Sequence, residues 1–242
     1  MTGIVVGASR GLGRGIATAL AQAGAPVVAV ARTASALAEL AAATGGIEPE
    51  VADAGDPTVP GALLDRHQPD TVIVVAGASP LMRPLHQHTW ETFSANWNTD
   101  VRIAFHWVRE ALLTPLRPGS RVIVVSSGAA VNGSPLSGGY AGAKATQRFI
   151  AAYAHDEARR AGLDIAFTTV LPQLTPATGL GLPAVRAYAA RAGVSLEDQL
   201  RQLGDPLTPE TAGKAMVELA RTEPAALAPA YRLTSAGPTA LS

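Results

Sequence analysis

Gly3-Ile4-Val5-Val6-Gly7-Ala8-Ser9-Arg10-Gly11-Leu12-Gly13 decides the fold of this chain. The apolar run Ile4-Val5-Val6 reads as a buried strand and feeds straight into a glycine-rich turn. The stretch from the turn to Ala23 reads as a helix. Glycines at a strand-to-helix turn let backbone N–H groups approach a pyrophosphate, and the helix N-terminus favours its negative charge. The spacing is Gly-x-x-x-Gly-x-Gly rather than the commoner Gly-x-Gly-x-x-Gly. Such a turn is a weak signal alone, so its meaning depends on the rest of the chain.

Strand-like runs alternate with helical stretches from there to the C-terminus. The sequence predicts strands at Gly3–Val6, Val27–Ala31, 47–52, 71–75, 121–126, 164–171 and Ala230–Thr234. Runs such as Val72-Ile73-Val74-Val75 and Val122-Ile123-Val124-Val125 are continuous and β-branched, as expected of strands covered by helices on both faces. Helices are predicted near 11–23, 34–43, 58–67, 89–114, 139–161 and 209–221. In the fourth of these, Val101, Phe105, Val108 and Leu112 lie at helical spacing and predict one buried stripe. The alternation predicts an α/β fold: a single doubly wound Rossmann-type domain over 1–242, with a parallel seven-stranded sheet and ligands at the carboxyl ends of the strands. Only the stretch between Pro172 and Pro209 breaks the rhythm, with Pro and Gly turns and a short amphipathic piece near 185–203.

Composition narrows the function classes. Of 242 residues, 48% are apolar and 16% charged, enough for a sizeable core, and the formal net charge is zero. With no basic run, nucleic acid is not an expected partner. The absence of cysteine removes disulfides, thiolate metal sites and a thiol nucleophile, and fits a reducing cytoplasm. The first strand begins within three residues of Met1, which argues against a signal peptide, and no run of 18 apolar residues predicts a membrane span. His67, His86, His88, His106 and His155 show no metal-binding spacing, so no metal is expected. His86 and His88 read as surface residues of a Pro-flanked loop. Trp90, Phe93 and Trp97 form an aromatic stripe that reads as core or subunit contact.

The chemistry is carried by Tyr140-Ala141-Gly142-Ala143-Lys144, with Ser127 thirteen residues before the tyrosine. Four tyrosines and two lysines in 242 residues give about 0.03 such pairs by chance. On a helix the two side chains share a face. A phenol, with a reference pKa of about 10, is a poor general acid or base at neutral pH, and a fixed ammonium beside it stabilises the phenolate. A serine hydroxyl can hold a substrate oxygen next to the phenol.

Together the glycine turn and the Ser…Tyr-x-x-x-Lys set resemble the short-chain dehydrogenase/reductase family, over essentially the whole chain. The resemblance implies an oxidoreductase moving a hydride between NADP(H) and a ketone or secondary alcohol, with Ser127, Tyr140 and Lys144 catalytic. Ser127 would position the substrate oxygen, Tyr140 exchange a proton with it, and Lys144 also bind the nicotinamide ribose. Cofactor contacts would come from Gly7, Ser9, Arg10, Gly11, Leu12, Gly13, Arg32, Thr33, Asp53, Ala54, Ala76, Gly77, Tyr140, Lys144, Pro172 and Thr175. Arg32 stands where an NAD-preferring protein would usually offer an acid, and with Arg10 it suits a 2′-phosphate. Asp53 could instead merely cap the next turn. The segment at 173–208 would cover the substrate, and a homodimer or homotetramer in the cytoplasm would be expected. Leu81, Met82, Leu85, Leu136 and Leu174 suggest a medium-sized apolar substrate.

Four departures stand out. The family's Thr before the first Gly is Val6, its Asn-Asn-Ala-Gly reads Val74-Val75-Ala76-Gly77, and its Pro-Gly reads Pro172-Gln173. Its relay Asn falls on Asp100, with Asn98 an off-register alternative; there the main-chain carbonyl is the favoured contributor, the alternatives being a carboxylate ionised close to Lys144 or a residue that caps or kinks its helix. These changes keep open a non-redox or epimerising enzyme, or a catalytically silent NADP-binding sensor or structural protein.

Overall fold

The computed structural model describes residues 1–241. Eight strands, β1 (Gly3–Val6), β2 (Val27–Ala31), β3 (Ile47–Val51), β4 (Thr71–Val74), β5 (Ser120–Val125), β6 (Ile165–Pro172), β7 (Ala230–Thr234) and β8 (Gly237–Leu241), form one sheet in the order 3-2-1-4-5-6-7-8. All neighbours are parallel except β8, which turns back antiparallel on β7. This eighth strand corrects the seven-strand expectation. Gly-Pro-Thr-Ala-Leu has no apolar run because an edge strand that is half open to solvent needs none.

Period-two burial builds the layers. Val5, Ala29, Ile73, Ile123 and Val170 face α1 (Gly11–Gln22), α2 (Ala34–Ala43) and α10 (Pro209–Arg221). Their neighbours Ile4, Val6, Val28, Val30, Val72, Val74, Val122 and Val124 face α3 (Thr58–His67), α5 (Arg102–Leu113) and α7 (Tyr140–Arg160). Both faces are covered, so the central strands need apolar residues at every position. The strand order reverses between β1 and β4, opening a crevice at their carboxyl ends.

The predicted helix 89–114 is in fact α4 (Trp90–Asn96), a π-helical turn (Trp97–Val101) and α5. The wider turn rotates α5 about its axis. The buried stripe is therefore Ile103, Ala104, Trp107, Val108 and Ala111, while Phe105 is exposed and Val101 and Leu112 are half-buried. α6 (Ala129–Asn132) is a single turn. Between Pro172 and Pro209 lie α8 (Gly181–Ala192) and α9 (Leu196–Gln202).

Candidate active site

A cleft of about 980 Å³ opens at the carboxyl edge of the sheet. Its glycine end is shaped by backbone. Gly7 has φ +95°, and a Cβ on Gly13 would meet the Gly7 carbonyl at 2.1 Å, so only glycines let α1 start this close to β1. No side chain caps α1 and no acid stands in its first turn, which leaves its leading N–H groups facing the cleft beside Ser9 and Arg10. Arg10 and Arg32 are exposed on the rim, and neither joins an ion pair among the described residues. An uncapped helix start flanked by two free guanidiniums fits a dinucleotide with an extra phosphate. Asp53 lines the cleft and also accepts from the Gly55 N–H at 2.9 Å, so it does cap its turn. Ala54 is fixed by Trp107, whose indole donates to its carbonyl at 3.2 Å.

Thr33, Ala76, Gly77, Pro172 and Thr175 line the same cleft. Thr175 is buried and its hydroxyl donates to the Gln173 carbonyl at 3.0 Å. Gln173 reaches across to the Asp205 carbonyl at 2.9 Å, tying the end of β6 to the segment after α9. Val6 packs wholly inside the core and Val75 lines the cleft, so the two lost polar groups leave no orphan behind.

The other end is shaped by side chains. Ser127 follows β5, and Tyr140 opens α7 after its N–H bonds the Ser137 carbonyl at 3.1 Å. Lys144, one turn on, lies 5.5 Å from the Tyr140 ring centre, and the Ser126 hydroxyl holds the Lys144 carbonyl at 2.7 Å. The cleft thus brings together the sequence-predicted cofactor residues, from Gly7 to Thr175, with Ser127, Tyr140 and Lys144.

Asp100 is fully buried on the π-helical turn, with its carboxylate 3.2 Å from the Lys144 ammonium. Its main-chain carbonyl accepts from the Gln147 amide at 3.0 Å, and its carboxylate also meets the lysine, the alternative that the sequence left open. Gln147 in turn accepts from Lys144 Nζ at 3.1 Å. Gln147 escaped sequence reading, although it stands seven residues after Tyr140 on the same stripe. A polar residue between buried Ala143 and Ala151 was the available signal.

On the substrate side, Met82 and Leu174 line the cleft, while Leu81 and Leu85 are exposed and Leu136 is buried outside it. Asn132, Ser134 and Tyr188 line it too, and the Ser134 and Tyr188 hydroxyls bond each other, joining α8 to the loop before α7. His86 is exposed as expected, whereas His88 is half-buried, bridging the Arg83 carbonyl at 3.1 Å and the Thr92 hydroxyl at 3.2 Å. Trp90 and Trp97 are exposed. Among the described residues no three His, Asp or Glu side chains group as metal ligands, and no helix is long and apolar enough to cross a membrane.

The model of the short chain dehydrogenase family matches residues 2–182. The chain belongs to that family. It is 36% identical over 126 residues to carbonyl reductase [NADPH] 2 of Sus scrofa, covering 51% of this chain and 52% of that protein. To D-erythrulose reductase of Gallus gallus it is 34% identical over 103 residues, 43% and 42% of the two chains. The matches therefore span about half the length of these relatives or less. Among solved structures, a single-site variant of actinorhodin polyketide ketoreductase with NADPH superposes with a TM-score of 0.82 at 20% identity, covering 97% of this chain and 95% of that one. At that identity the likeness shows the fold.

Proposed function

We propose that this short-chain dehydrogenase is a carbonyl reductase that uses NADPH to convert a small ketone to a secondary alcohol. The observation that carries the reading is one cleft holding an uncapped glycine-rich helix start at one end and Ser127, Tyr140 and Lys144 at the other. When bound, a nicotinamide dinucleotide supplies the hydride. The chain's own residues do the rest. Gly7 to Gly13 bind the pyrophosphate, Arg10 and Arg32 the 2′-phosphate, Thr33, Asp53 and Ala54 the adenosine, and Ala76, Gly77, Pro172 and Thr175 flank the nicotinamide half. Ser127 donates to the substrate carbonyl oxygen and Tyr140 delivers a proton to it, completing the alcohol as the carbonyl carbon takes the hydride.

The hydroxyls of Ser134 and Tyr188 and the amide of Asn132, set beside Met82 and Leu174, favour a ketone that carries hydroxyl groups as well as an apolar portion. The name of the erythrulose reductase relative supports that class. The segment 173–208 acts as the cover, latched at Tyr188. Exposed Trp97, Phe105, Phe149 and Tyr153 on the adjoining π-helical turn, α5 and α7 form a face for a second copy, and the protein works in the cytoplasm as a homodimer or homotetramer.

A panel of hydroxylated and plain ketones, each offered with NADPH and with NADH, tests the reading through the nicotinamide absorbance. Turnover is expected with NADPH and a hydroxylated ketone. NADPH binding without turnover of any ketone would replace the enzyme with a cofactor-binding protein.

A further inference from the structure

We propose that Asp100 and Gln147 are positioning residues that pair the charge of Lys144 and so keep Tyr140 in its proton-donating form up to higher pH. The inference rests on Tyr140 being the proton donor. Lys144 is almost wholly enclosed, and its ammonium meets Asp100 Oδ2 at 3.2 Å and Gln147 Oε1 at 3.1 Å. The Gln147 amide is itself anchored, donating to the Asp100 carbonyl at 3.0 Å, so the three residues close a ring.

The carboxylate cannot swing away. Asp100 Oδ1 accepts from the Ala78 N–H at 2.7 Å and lies 3.5 Å from the Asn96 amide, which is held by the Ala78 carbonyl at 2.7 Å. Its approach requires Gly77, since a Cβ there would sit 2.8 Å from Oδ2. The Lys144 contact is a charge pair rather than an aligned hydrogen bond, since Oδ2 is buried without a hydrogen-bond partner.

An isolated ammonium acts on a neighbouring phenol with its full charge, whereas a charge paired at 3.2 Å acts as a dipole whose field falls off faster. Burial keeps water from blurring the difference. No other charge intervenes. Of the charged residues on elements packed against α7, Glu91 of α4 heads its own helix, Arg109 pairs with Glu110 on α5, and Arg121 of β5 bonds the Ala220 and Gly119 carbonyls. Arg102 lies against Gly55 and His106 toward Asp56. Arg10, Arg32, Asp53 and Arg232 line the cleft without pairing with Lys144 or Asp100, and His155 lies farther along α7. Tyr140 is the remaining titratable group beside the lysine.

Reduction breaks the Tyr140 O–H bond and forms the alcohol O–H bond as the NADPH hydride adds to carbon. Oxidation with NADP runs these transfers backward and needs the phenolate as base. A paired lysine therefore moves the pH limb of each direction upward, so that reduction persists and oxidation begins at higher pH.

The test is a pH titration of phenolate absorbance in the cofactor-free protein for wild type, Asp100→Asn and Gln147→Glu. Each titration has its Tyr140→Phe counterpart subtracted so that Tyr140 alone is read. Asp100→Asn is expected to bring the phenolate in at a pH lower by about one unit, and Gln147→Glu, which adds a second negative charge, at a higher one. In Asp100→Asn the rising limb of alcohol oxidation against pH, and the falling limb of ketone reduction with it, should move down by about one unit. If Asp100→Asn fails to fold, Gln147→Glu decides alone. Unmoved titrations in folded variants overturn the proposal, even with turnover intact. Shifted titrations in a protein that reduces no ketone remove the reaction and leave the charge cradle standing.

Discussion

At the glycine turn the site is made of backbone N–H groups at an uncapped helix start and two exposed arginines, neither of which has a partner among the described residues. Around Lys144 the polar side chains of Asn96, Asp100 and Gln147 are buried and already committed to one another, to the lysine or to main chain. The first end leaves its binding groups unsatisfied for a ligand to complete. The second holds its lysine in place before any ligand arrives. Changes at the rim should therefore alter affinity and little else, whereas changes at the lysine should alter chemistry and stability together, because a buried charge that loses its partner has no water to turn to.

The largest break in that contrast comes from Lys144→Ala. Asp100 is left buried and unpaired, so unfolding free energy should fall by about 3–5 kcal/mol in chemical denaturation, along with turnover. A variant as stable as wild type would mean that Asp100 is not ionised against the lysine. Next is the double change Arg10→Ala with Arg32→Ala, which should weaken NADPH binding by roughly 10- to 150-fold per arginine while NADH binding and melting temperature hardly move. Equal wild-type affinity for the two cofactors would remove the arginines from 2′-phosphate recognition.

A smaller effect is expected away from the cleft, where Phe149→Asp should dissociate the proposed oligomer in light scattering without changing the fold of the subunit; a wild type that scatters as a monomer would remove that face from the account. The smallest concerns α9. Asp198 accepts from the Ser195 hydroxyl and from Arg201, which hold its carboxyl below the usual carboxylate range. A carboxyl depressed in the folded state stabilises it above the ordinary range, and that gain is lost as pH falls through the folded value. Asp198→Asn should thus lower the melting temperature slightly at neutral pH, and the gap should close in acid.

Most of the fold is legible in residues whose burial is continuous. Val72-Ile73-Val74 and Val122-Ile123-Val124-Val125 can be nothing but central strands, and the bounds of α2, α3 and α10 follow from composition and the Thr208-Pro209 start. What is hidden is set by tertiary geometry. β8 exists because β7 offers it an edge, not because Gly237–Leu241 has strand character. The π-helical turn shows no sequence signature, yet it moves Phe105 outward and carries Asp100 to Lys144. The site divides the same way. Ser127, Tyr140, Lys144 and the glycines carry spacing of their own, whereas Gln147, Ser134 and Tyr188 become visible only when α7, α8 and the loop between α6 and α7 are in place.

The most direct test of a reductase with separable binding and proton-transfer ends is Tyr140→Phe, measured for NADPH affinity by fluorescence titration and for kcat on a ketone that the wild type reduces. The account predicts affinity close to wild type and a kcat lower by about 10²–10⁴-fold. A Tyr140→Phe protein that keeps wild-type kcat would contradict it.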